Sequence, residues 1–315
     1  MSKSLPKQFI NSAQKCGYDI RLMKNSSLPH LYVETNKILS SQKTPGLIME
    51  TKELKNGVAI KMIVKKGVEI KKPIFLCFGI LKEQGQQIIL VETILQEKAK
   101  AEIFAHCTFP SAKKVLHQMK AKIKLEKNSQ LTYREKHYHG ENFGTKVLPN
   151  FTVLLAENAV LNNEFVLKQG SIGELKIKIE AELEKNAFCD LTTKVIGKGM
   201  KDNLEIYDKI ILAGENSRSL IKIRAAAVNG GKIFGQGETI ALAKGNRGHI
   251  DCQEIVIGKN SLARAVPIVY VKHPQARVTH EASVGKINQK ELETLMTRGL
   301  SEKQATDLII RGVIQ

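Results

Sequence analysis

Apolar and polar residues alternate along most of the chain, from about residue 46 onward. Segments such as VAIKMIV, KAKIKL, LKIKIEAEL and DKIILAG place an apolar residue at nearly every second position, with Lys, Glu or Asp between. A period of two is typical of β-strands with one buried face. Turns containing Asn and Gly separate these segments. The pattern therefore predicts many short strands over more than two hundred residues.

One of these turns recurs at a nearly fixed interval. The segments EKNSQ, AENAV, EKNAF, GENSR and GKNSL place its asparagine at Asn128, Asn158, Asn186, Asn216 and Asn260. The first four are separated by 30, 28 and 30 residues. Asparagine suits such a corner because it tolerates a left-handed backbone. A sandwich or barrel also contains many short strands but requires no fixed period. We therefore predict a parallel β-helix over residues 46–270, with about thirty residues per coil.

The regions outside this core have different patterns. Residues 4–24 include one weak helical segment that ends near Gly17, and the stretch from Leu31 to about Pro45 is predicted to be a connection. The chain is thus divided into an N-terminal helical and connecting region at 1–45, the β-helix core, and a C-terminal helical segment at 271–315. The expected fold class is an all-β core with small α-helical ends.

The C-terminal segment predicts two amphipathic helices. Asn288-Gln-Lys-Glu291 and Ser301-Glu-Lys-Gln304 each match a capping box, and Gly299 is placed to end the first helix. The apolar faces are formed by Leu292, Leu295 and Met296 in the first helix and by Ala305, Leu308, Ile309 and Val313 in the second. Such a pair caps the solenoid, docks a partner, or does both.

The net charge of +18 arises from 49 Lys and Arg residues against 31 Asp and Glu residues. A basic β-solenoid that binds nucleic acid or a polyanionic glycan is one interpretation. However, Lys greatly outnumbers Arg, Trp is absent, and aromatic residues make up only 5% of the chain. Many lysines alternate with apolar residues, as on an outward strand face. We therefore favour a solvated surface and do not expect nucleic-acid binding.

The sequence also bears on compartment and enzymatic activity. The start, MSKSLPKQFI, has no secretory h-region, and the longest apolar run, Ile74 to Leu81, is too short to cross a membrane. We therefore expect a cytoplasmic protein without a membrane partner. A Walker A motif is absent, and GQGETIALAKG lacks the required Gly-Lys-Ser/Thr. No Ser-His-Asp order or paired-carboxylate motif stands out, so we expect no enzymatic activity from this chain.

The five cysteines are Cys16, Cys77, Cys107, Cys189 and Cys252. Their odd number, wide spacing and lack of a CxxC pair argue against a disulfide framework or a zinc knuckle. Each is by itself most simply a small buried side chain. His137 and His139 lie on one face of a predicted strand, where two histidines bind a metal less often than they serve a structural role.

Three C-terminal segments carry a resemblance to a known family: GHIDCQEIVIG at 248–258, AVPIVYVKHPQARVTHEASVGKI at 265–287 and LETLMTRGLSEKQATDLIIRGV at 292–313. Together with AHCT at 105–108 and HYHG at 137–140, they resemble the SufB/SufD family, the scaffold subunits of the SUF iron–sulfur assembly machinery. The resemblance implies a right-handed parallel β-helix with helical ends, in agreement with the repeat period.

Within this family the chain is similar to the short form found in archaea and some bacteria. B-type subunits are longer at both ends, whereas D-type subunits tend to lack the B-type cysteine and to have Gly in the place of Glu281. Here Cys252 occurs together with His280 and Glu281, so the chain matches the B type at this site. A homodimer and a heterodimer with another family chain both remain open.

The resemblance also implies the site and its cargo. Cys252, His280 and Glu281 are expected to hold a nascent, transient iron–sulfur cluster. A mixed site with few thiolates suits a scaffold that must also release its cluster. Cys107 corresponds to the position where B-type members accept sulfur, a role that needs an accessible thiol of low pKa.

The expected partners follow from the same resemblance. ATP hydrolysis is expected to come from a SufC-type ABC ATPase that docks on the helix pair. The residues predicted to bind it are Leu292, Leu295, Met296, Arg298, Leu308 and Ile309. A sulfur donor and apo-protein acceptors are the other expected partners. The sequence therefore favours an assembly scaffold, with the basic β-solenoid that binds a polyanion as the alternative.

Overall fold

A computed structural model describes residues 6–314. Residues 1–5 and Gln315, which belong to the predicted segments 1–45 and 271–315, lie outside the described residues. Two helices, α1 (Lys7–Lys15) and α2 (Ile20–Lys24), precede nineteen strands, and α3 (Gln289–Thr297) and α4 (Glu302–Val313) follow them within this range. No helix of residues 6–314 is long and apolar enough to cross a membrane.

The strands form two sheets. The first sheet contains β1 (His30–Glu34), β2 (Lys37–Gln42), β5 (Ile74–Gly79), β7 (Lys100–Phe109), β9 (Gln130–His139), β11 (Val160–Gln169), β13 (Phe188–Lys198), β15 (Arg218–Val228), β17 (Arg247–Ile257) and β19 (Arg277–Lys286). The second sheet contains β3 (Leu47–Leu54), β4 (Gly57–Val64), β6 (Gln84–Leu95), β8 (Lys114–Leu125), β10 (Thr145–Leu155), β12 (Gly173–Leu183), β14 (Asn203–Leu212), β16 (Lys232–Ala241) and β18 (Leu262–Val271).

From β5 onward, consecutive strands alternate between the sheets, and each pairs in parallel with the equivalent strand of the next coil. Thr145, for example, pairs with Val115 and Gly173, which lie 30 residues before it and 28 residues after it. Stacking at this offset forms a parallel β-solenoid of about eight turns. The predicted all-β core, a parallel β-helix with small helical ends, is confirmed.

Alternate side chains point into the lumen between the two sheets and form the main core. Strand β8 shows the pattern, with Met119, Ala121 and Ile123 buried and the intervening lysines exposed. On the outer face, Lys146 contacts Glu174 of the next coil at 2.8 Å, and Lys176 contacts Glu205 at 2.9 Å. These exposed ion pairs contribute little stability, but they show that many lysines belong to a solvated strand face.

The first four recurring asparagines occupy one row of corners, where the chain passes from the second sheet to the first, whereas Asn260 lies in the opposite row, between β17 and β18. All five adopt a left-handed backbone, with φ values of 57–62°. The N–H of Asn128 donates to Glu157 O and the N–H of Asn158 to Lys185 O, at 3.0 and 2.9 Å, so the hydrogen-bonded stack continues through the corner. The side chains form a second ladder, in which Asn158 Nδ2 donates to Asn128 Oδ1 and Asn186 Nδ2 to Asn158 Oδ1. Asparagine therefore provides both the backbone geometry and the contact between coils.

Antiparallel hairpins cover the N-terminal end of the solenoid. β1 pairs with β2, and β3 pairs with β4, so each sheet begins with an antiparallel strand, β2 or β3. The prediction that Leu31 to Pro45 is a connection is wrong, because two short strands there bury Leu31 and Val33 against the core. The helix α1 packs Phe9 and Ala13 on the outer face of the first sheet against Phe75.

The C-terminal end is open. β18 and β19 are the last strands of their sheets, so each has one neighbour among residues 6–314, and Leu262, Tyr270 and Val284 are exposed. The parallel ladder extends to Lys286, beyond the predicted core bound at 270. After it, α4 packs Ile310 on the outer face of the first sheet against Ala226 and Ile255.

Of the two predicted capping boxes, the structure forms the one at α4, whereas at α3 Asn288 caps the helix without a reciprocal bond from Glu291. Ser301 and Gln304 form the predicted capping box at the start of α4. Asn288 caps α3 through a side-chain contact with the N–H of Lys290. Gly299 adopts a φ of +89° just after α3, which allows the chain to turn towards α4.

The corner ladder predicts different costs for two replacements of Asn158. Asn158→Ala removes both side-chain hydrogen bonds and keeps a Cβ in the left-handed region, so we expect a loss of about 2–4 kcal/mol in the free energy of unfolding. Asn158→Gly removes the same bonds but relieves the backbone, so its loss should be about 1–2 kcal/mol smaller. Urea unfolding followed by circular dichroism measures both values. Equal losses in the two variants would contradict this explanation of the corner.

Candidate functional site

Cys252 lies near the open end of the solenoid on β17, with its side chain turned into the lumen and almost fully buried. Its strand neighbours in the first sheet are Ile223 on β15 and Ala282 on β19. Burial, followed by the nearby carboxylates of Glu254 and Asp251, raises the pKa of this thiol to about 12. Cys252 is therefore a protonated thiol at neutral pH until a metal ion replaces the proton.

His280 and Glu281 are adjacent on β19 but point to opposite faces, as successive strand residues do. His280 pairs with Ile250, and Cys252 pairs with Ala282, so His280 and Cys252 share the lumen face of neighbouring strands, two positions apart. Glu281 pairs with Asp251 on the outward face. Both His280 and Glu281 are exposed. One chain thus brings Cys252 and His280 to a common face and leaves Glu281 on the other.

Glu254 is a lumen residue that the sequence reasoning missed. It lies two residues after Cys252 on the same strand face and is buried, and neither carboxylate oxygen has a hydrogen-bond partner in the described part of the chain. Burial raises its pKa to about 7. A Cβ on Gly235 would lie 2.6 Å from Oε1 of Glu254, so the glycine makes room for this carboxylate. The Gly-x-Gly in GQGET, which contains Gly235, was the sequence feature that could have indicated room for a lumen side chain.

Asp208 is a second buried carboxyl group in the same part of the lumen. Burial raises its pKa to about 7. The Thr193 hydroxyl, which donates a weak hydrogen bond at 3.5 Å, lowers this pKa only in part. Its Oδ1 has no partner within residues 6–314. Asp208 is also among the groups that raise the pKa of Cys252. The lumen beneath the open end therefore contains two buried carboxyl groups, those of Asp208 and Glu254.

Cys107 lies on β7, far from the open end, with its side chain in the closed part of the lumen. The thiol is fully buried, and burial together with Glu135 raises its pKa well above the usual value. This differs from the accessible thiol of low pKa that a sulfur acceptor needs. Access to the thiol would require an opening of the solenoid, and the sulfur-acceptor role of Cys107 stays a prediction.

The residues predicted to dock an ATPase lie on both sides of the helix pair. Leu292 is buried, Leu295 and Ile309 are half-buried, and Met296, Arg298 and Leu308 are exposed. On α4 it is Ile310, rather than Leu308, that packs on the solenoid, and Ala305 is also buried. Met296 and Leu308 thus remain as exposed apolar side chains beside the open end.

The family model described as the SufBD core domain of SUF-system iron–sulfur cluster assembly matches residues 81–313, most of the solenoid and both C-terminal helices. The chain belongs to the SufB/SufD family. It therefore has a role in iron–sulfur cluster assembly.

Relatives in this family cover nearly the whole chain. An iron–sulfur cluster assembly SufBD family protein of Methanocaldococcus jannaschii is 40% identical over 91% of this chain and 90% of that protein. One of Pyrococcus horikoshii is 32% identical over 96% of this chain and 91% of that protein. The iron–sulfur cluster assembly protein SufB of Bacillus subtilis is 27% identical over 80% of this chain, but only 54% of that longer protein is covered.

The buried carboxyl groups predict a pH-dependent stability. Because Asp208 keeps its proton to about pH 7 when folded but only to about pH 4 when unfolded, the folded state binds more protons between these values. Stability therefore falls as pH rises through this window, by up to about 4 kcal/mol. Asp208→Asn should remove this loss, so that the variant gains on the wild type between pH 5 and pH 8 in urea unfolding.

Glu182→Gln provides the matched control, because Glu182 is an exposed residue on the outer face of β12. It removes one negative charge without changing the lumen and should leave the pH dependence of the wild type intact. If Asp208→Asn and Glu182→Gln follow the same pH profile as the wild type, the proton is not held by Asp208.

Proposed function

We propose that this SufB/SufD-family chain is a scaffold that assembles a nascent iron–sulfur cluster at the open end of its solenoid and then transfers it to acceptor proteins. The observation that carries the proposal is the placement of Cys252 and His280 on one face of neighbouring strands, at the edge of the fold. A thiolate and an imidazole are both established ligand types for iron–sulfur clusters. The cluster is the cargo of this site and not a permanent part of it.

The raised pKa of Cys252 supports reversible binding. Iron must displace the thiol proton to bind, and the high pKa, about 12, favours the return of that proton when the cluster leaves. An imidazole ligand at the exposed edge is also exchanged more easily than a fourth thiolate. The pair therefore holds a cluster less firmly than an enclosed four-cysteine site.

A second chain completes this site in our proposal. The unpaired edges of β18 and β19 offer backbone N–H and C=O groups, together with exposed apolar side chains, for docking another solenoid. Glu281 lies on the face opposite Cys252, so it cannot share an iron ion with that thiolate within one chain. We propose that Glu281 contributes where the two chains meet, in a homodimer or in a heterodimer with another family chain.

We further propose that the helix pair docks a SufC-type ABC ATPase. Met296 and Leu308 present apolar groups that the solenoid does not cover. Because α4 packs directly on β15 and β17, a force on the helices reaches the strand that carries Cys252. ATP-driven movement would then open the site between the two chains and release the cluster. A sulfur donor and apo-protein acceptors complete the proposed cycle.

The polyanion-binding alternative has one supporting observation. Arg218, Arg247 and Arg277 occupy equivalent positions on three neighbouring strands of the first sheet, β15, β17 and β19. None of them forms an ion pair within the described chain. The scaffold proposal is preferred because the family is established and because many lysines are already paired with glutamates across coils.

The cluster proposal predicts distinct effects for two ligands. After anaerobic reconstitution with iron and sulfide, Cys252→Ser should lose the sulfur-to-iron charge-transfer absorbance, and His280→Ala should retain a weakened band. Cys189→Ser is the matched control, because Cys189 is a buried lumen cysteine two coils earlier in the same sheet, and it should behave as the wild type. A wild-type cluster yield in Cys252→Ser would place the site elsewhere.

The docking proposal predicts that charge on the helix pair blocks the partner. Replacing both Leu295 and Met296 with Asp should abolish co-purification with the ATPase while the far-ultraviolet β signal remains. Met200→Asp is the control, since Met200 is an exposed methionine in the turn between β13 and β14. Unchanged binding by the double variant, or an equal loss with Met200→Asp, would count against the helices as the docking surface.

A further inference from the structure

A second group of metal-ligand side chains lies in the closed part of the lumen, several coils away from Cys252. Cys107 on β7 and Glu135 and His137 on β9 are all buried, and one ligand atom from each lies within 4.8 Å of the other two. Cys107 and His137 are direct partners across the two strands. The group thus combines a thiol, a carboxyl group and an imidazole at one level of the solenoid.

His117, on β8 in the facing sheet, adds a fourth donor whose orientation is fixed. The Gln87 amide nitrogen donates to the carbonyl oxygens of Thr35 and Gly79, at 2.7 and 3.3 Å, so its Oε1 must accept from His117 Nδ1–H at 3.0 Å. The other nitrogen, Nε2, therefore carries a lone pair, and it lies 3.7 Å from Cys107 Sγ. This arrangement is the one that orients metal-binding histidines through a hydrogen bond on the remote nitrogen.

Three of the distances between ligand atoms are close to those around a tetrahedral ion. With metal–sulfur bonds of about 2.3 Å and metal–nitrogen or metal–oxygen bonds of about 2.1 Å, neighbouring ligand atoms lie about 3.5 Å apart. Cys107 Sγ lies 3.7 Å from both Glu135 Oε1 and His117 Nε2. Glu135 Oε1 and His137 Nε2 are closer, at 2.6 Å, because a proton lies between them. An ion in the place of this proton would increase the distance between the two atoms by less than about 1 Å.

We propose that Cys107, His117, Glu135 and His137 bind one divalent transition-metal ion inside the lumen, at a site separate from the cluster site at Cys252. Binding releases two protons, the thiol proton of Cys107 and the proton shared by Glu135 and His137. The exchange of a doubly charged cation for two protons leaves the charge of the closed lumen unchanged, which avoids the high cost of burying an uncompensated charge.

The chemistry of the donors restricts the ion. A thiolate with two imidazoles and one carboxylate suits Zn²⁺, Fe²⁺ or Co²⁺ and disfavours Mg²⁺ and Ca²⁺, which prefer oxygen ligands. Phe109 packs against His117 with ring centroids 4.9 Å apart, and Phe165 packs against His137 at 4.8 Å. These rings exclude water from the donors. Tyr133 donates a hydrogen bond to the other oxygen of Glu135 at 2.9 Å, which leaves Oε1 for the ion.

The proposed metal site and the predicted sulfur-acceptor role both use the thiol of Cys107. A thiolate bound to the ion is not available to accept sulfur, so the two roles exclude each other at any one moment. The metal-site proposal does not depend on the function proposed for Cys252.

The test uses Co²⁺ as a spectroscopic probe in the full-length chain. Because the lumen is closed, the protein is produced in medium supplemented with Co²⁺, so that the ion enters during folding. We expect one cobalt ion per chain, with a thiolate-to-cobalt charge-transfer band and the intense visible bands of tetrahedral cobalt. Cys252→Ser, which removes the proposed cluster thiolate, should keep both the ion and its spectrum.

Two variants test the donors. Cys107→Ser should lose the charge-transfer band and most of the bound cobalt. Gln87→Ala, which leaves all four ligands in place, should retain the tetrahedral spectrum and weaken cobalt affinity by about 10–100-fold when the protein is refolded with Co²⁺ in competition with a chelator. A folded wild type with less than a tenth of an equivalent of cobalt would overturn the proposal, as would a charge-transfer band that survives Cys107→Ser or disappears in Cys252→Ser.

Discussion

The register between coils is the constraint on which the rest of the structure depends. Each coil pairs with the next at an offset of 28–30 residues from β5 onward in the first sheet. Because side chains alternate along a strand, a shift of one residue would turn a whole lumen face outward. The corner asparagines and their interstrand hydrogen bonds hold this register. The positions of Cys107 over His137 and of Cys252 beside Ala282 follow directly from it.

The lumen is the second determinant of function, because it concentrates polar groups at two separate levels. One level contains Cys107, Glu135 and three histidines, and these groups largely satisfy one another. The other contains Asp208, Cys252 and Glu254, whose carboxyl groups are poorly satisfied within residues 6–314. Unpaired buried carboxyl groups are costly in a core that serves stability alone. Their presence beneath the open end agrees with a site that binds a charged cargo or a second chain.

The sequence predicted the repetitive part of the fold well, because one strand pattern recurs along the solenoid and one asparagine turn recurs in four consecutive coils. The hairpin at β1 and β2 was missed, since its short strands lack the repeated turn. Sequence motifs placed His280 and Glu281 together, but residues adjacent in a strand point to opposite faces, so only His280 faces the lumen beside Cys252. The burial of Cys107 could not be predicted from the residues around it in the sequence, because the facing sheet and the neighbouring coils enclose its thiol.

The central claim is that His280 and Cys252 together hold the nascent cluster. Pulsed electron paramagnetic resonance of the reduced, reconstituted protein tests it most directly, with ¹⁵N incorporated selectively into histidine. The account predicts a nitrogen hyperfine coupling that changes with the isotope and disappears in His280→Ala. A cluster signal without histidine coupling, or a coupling that persists in His280→Ala, would contradict it.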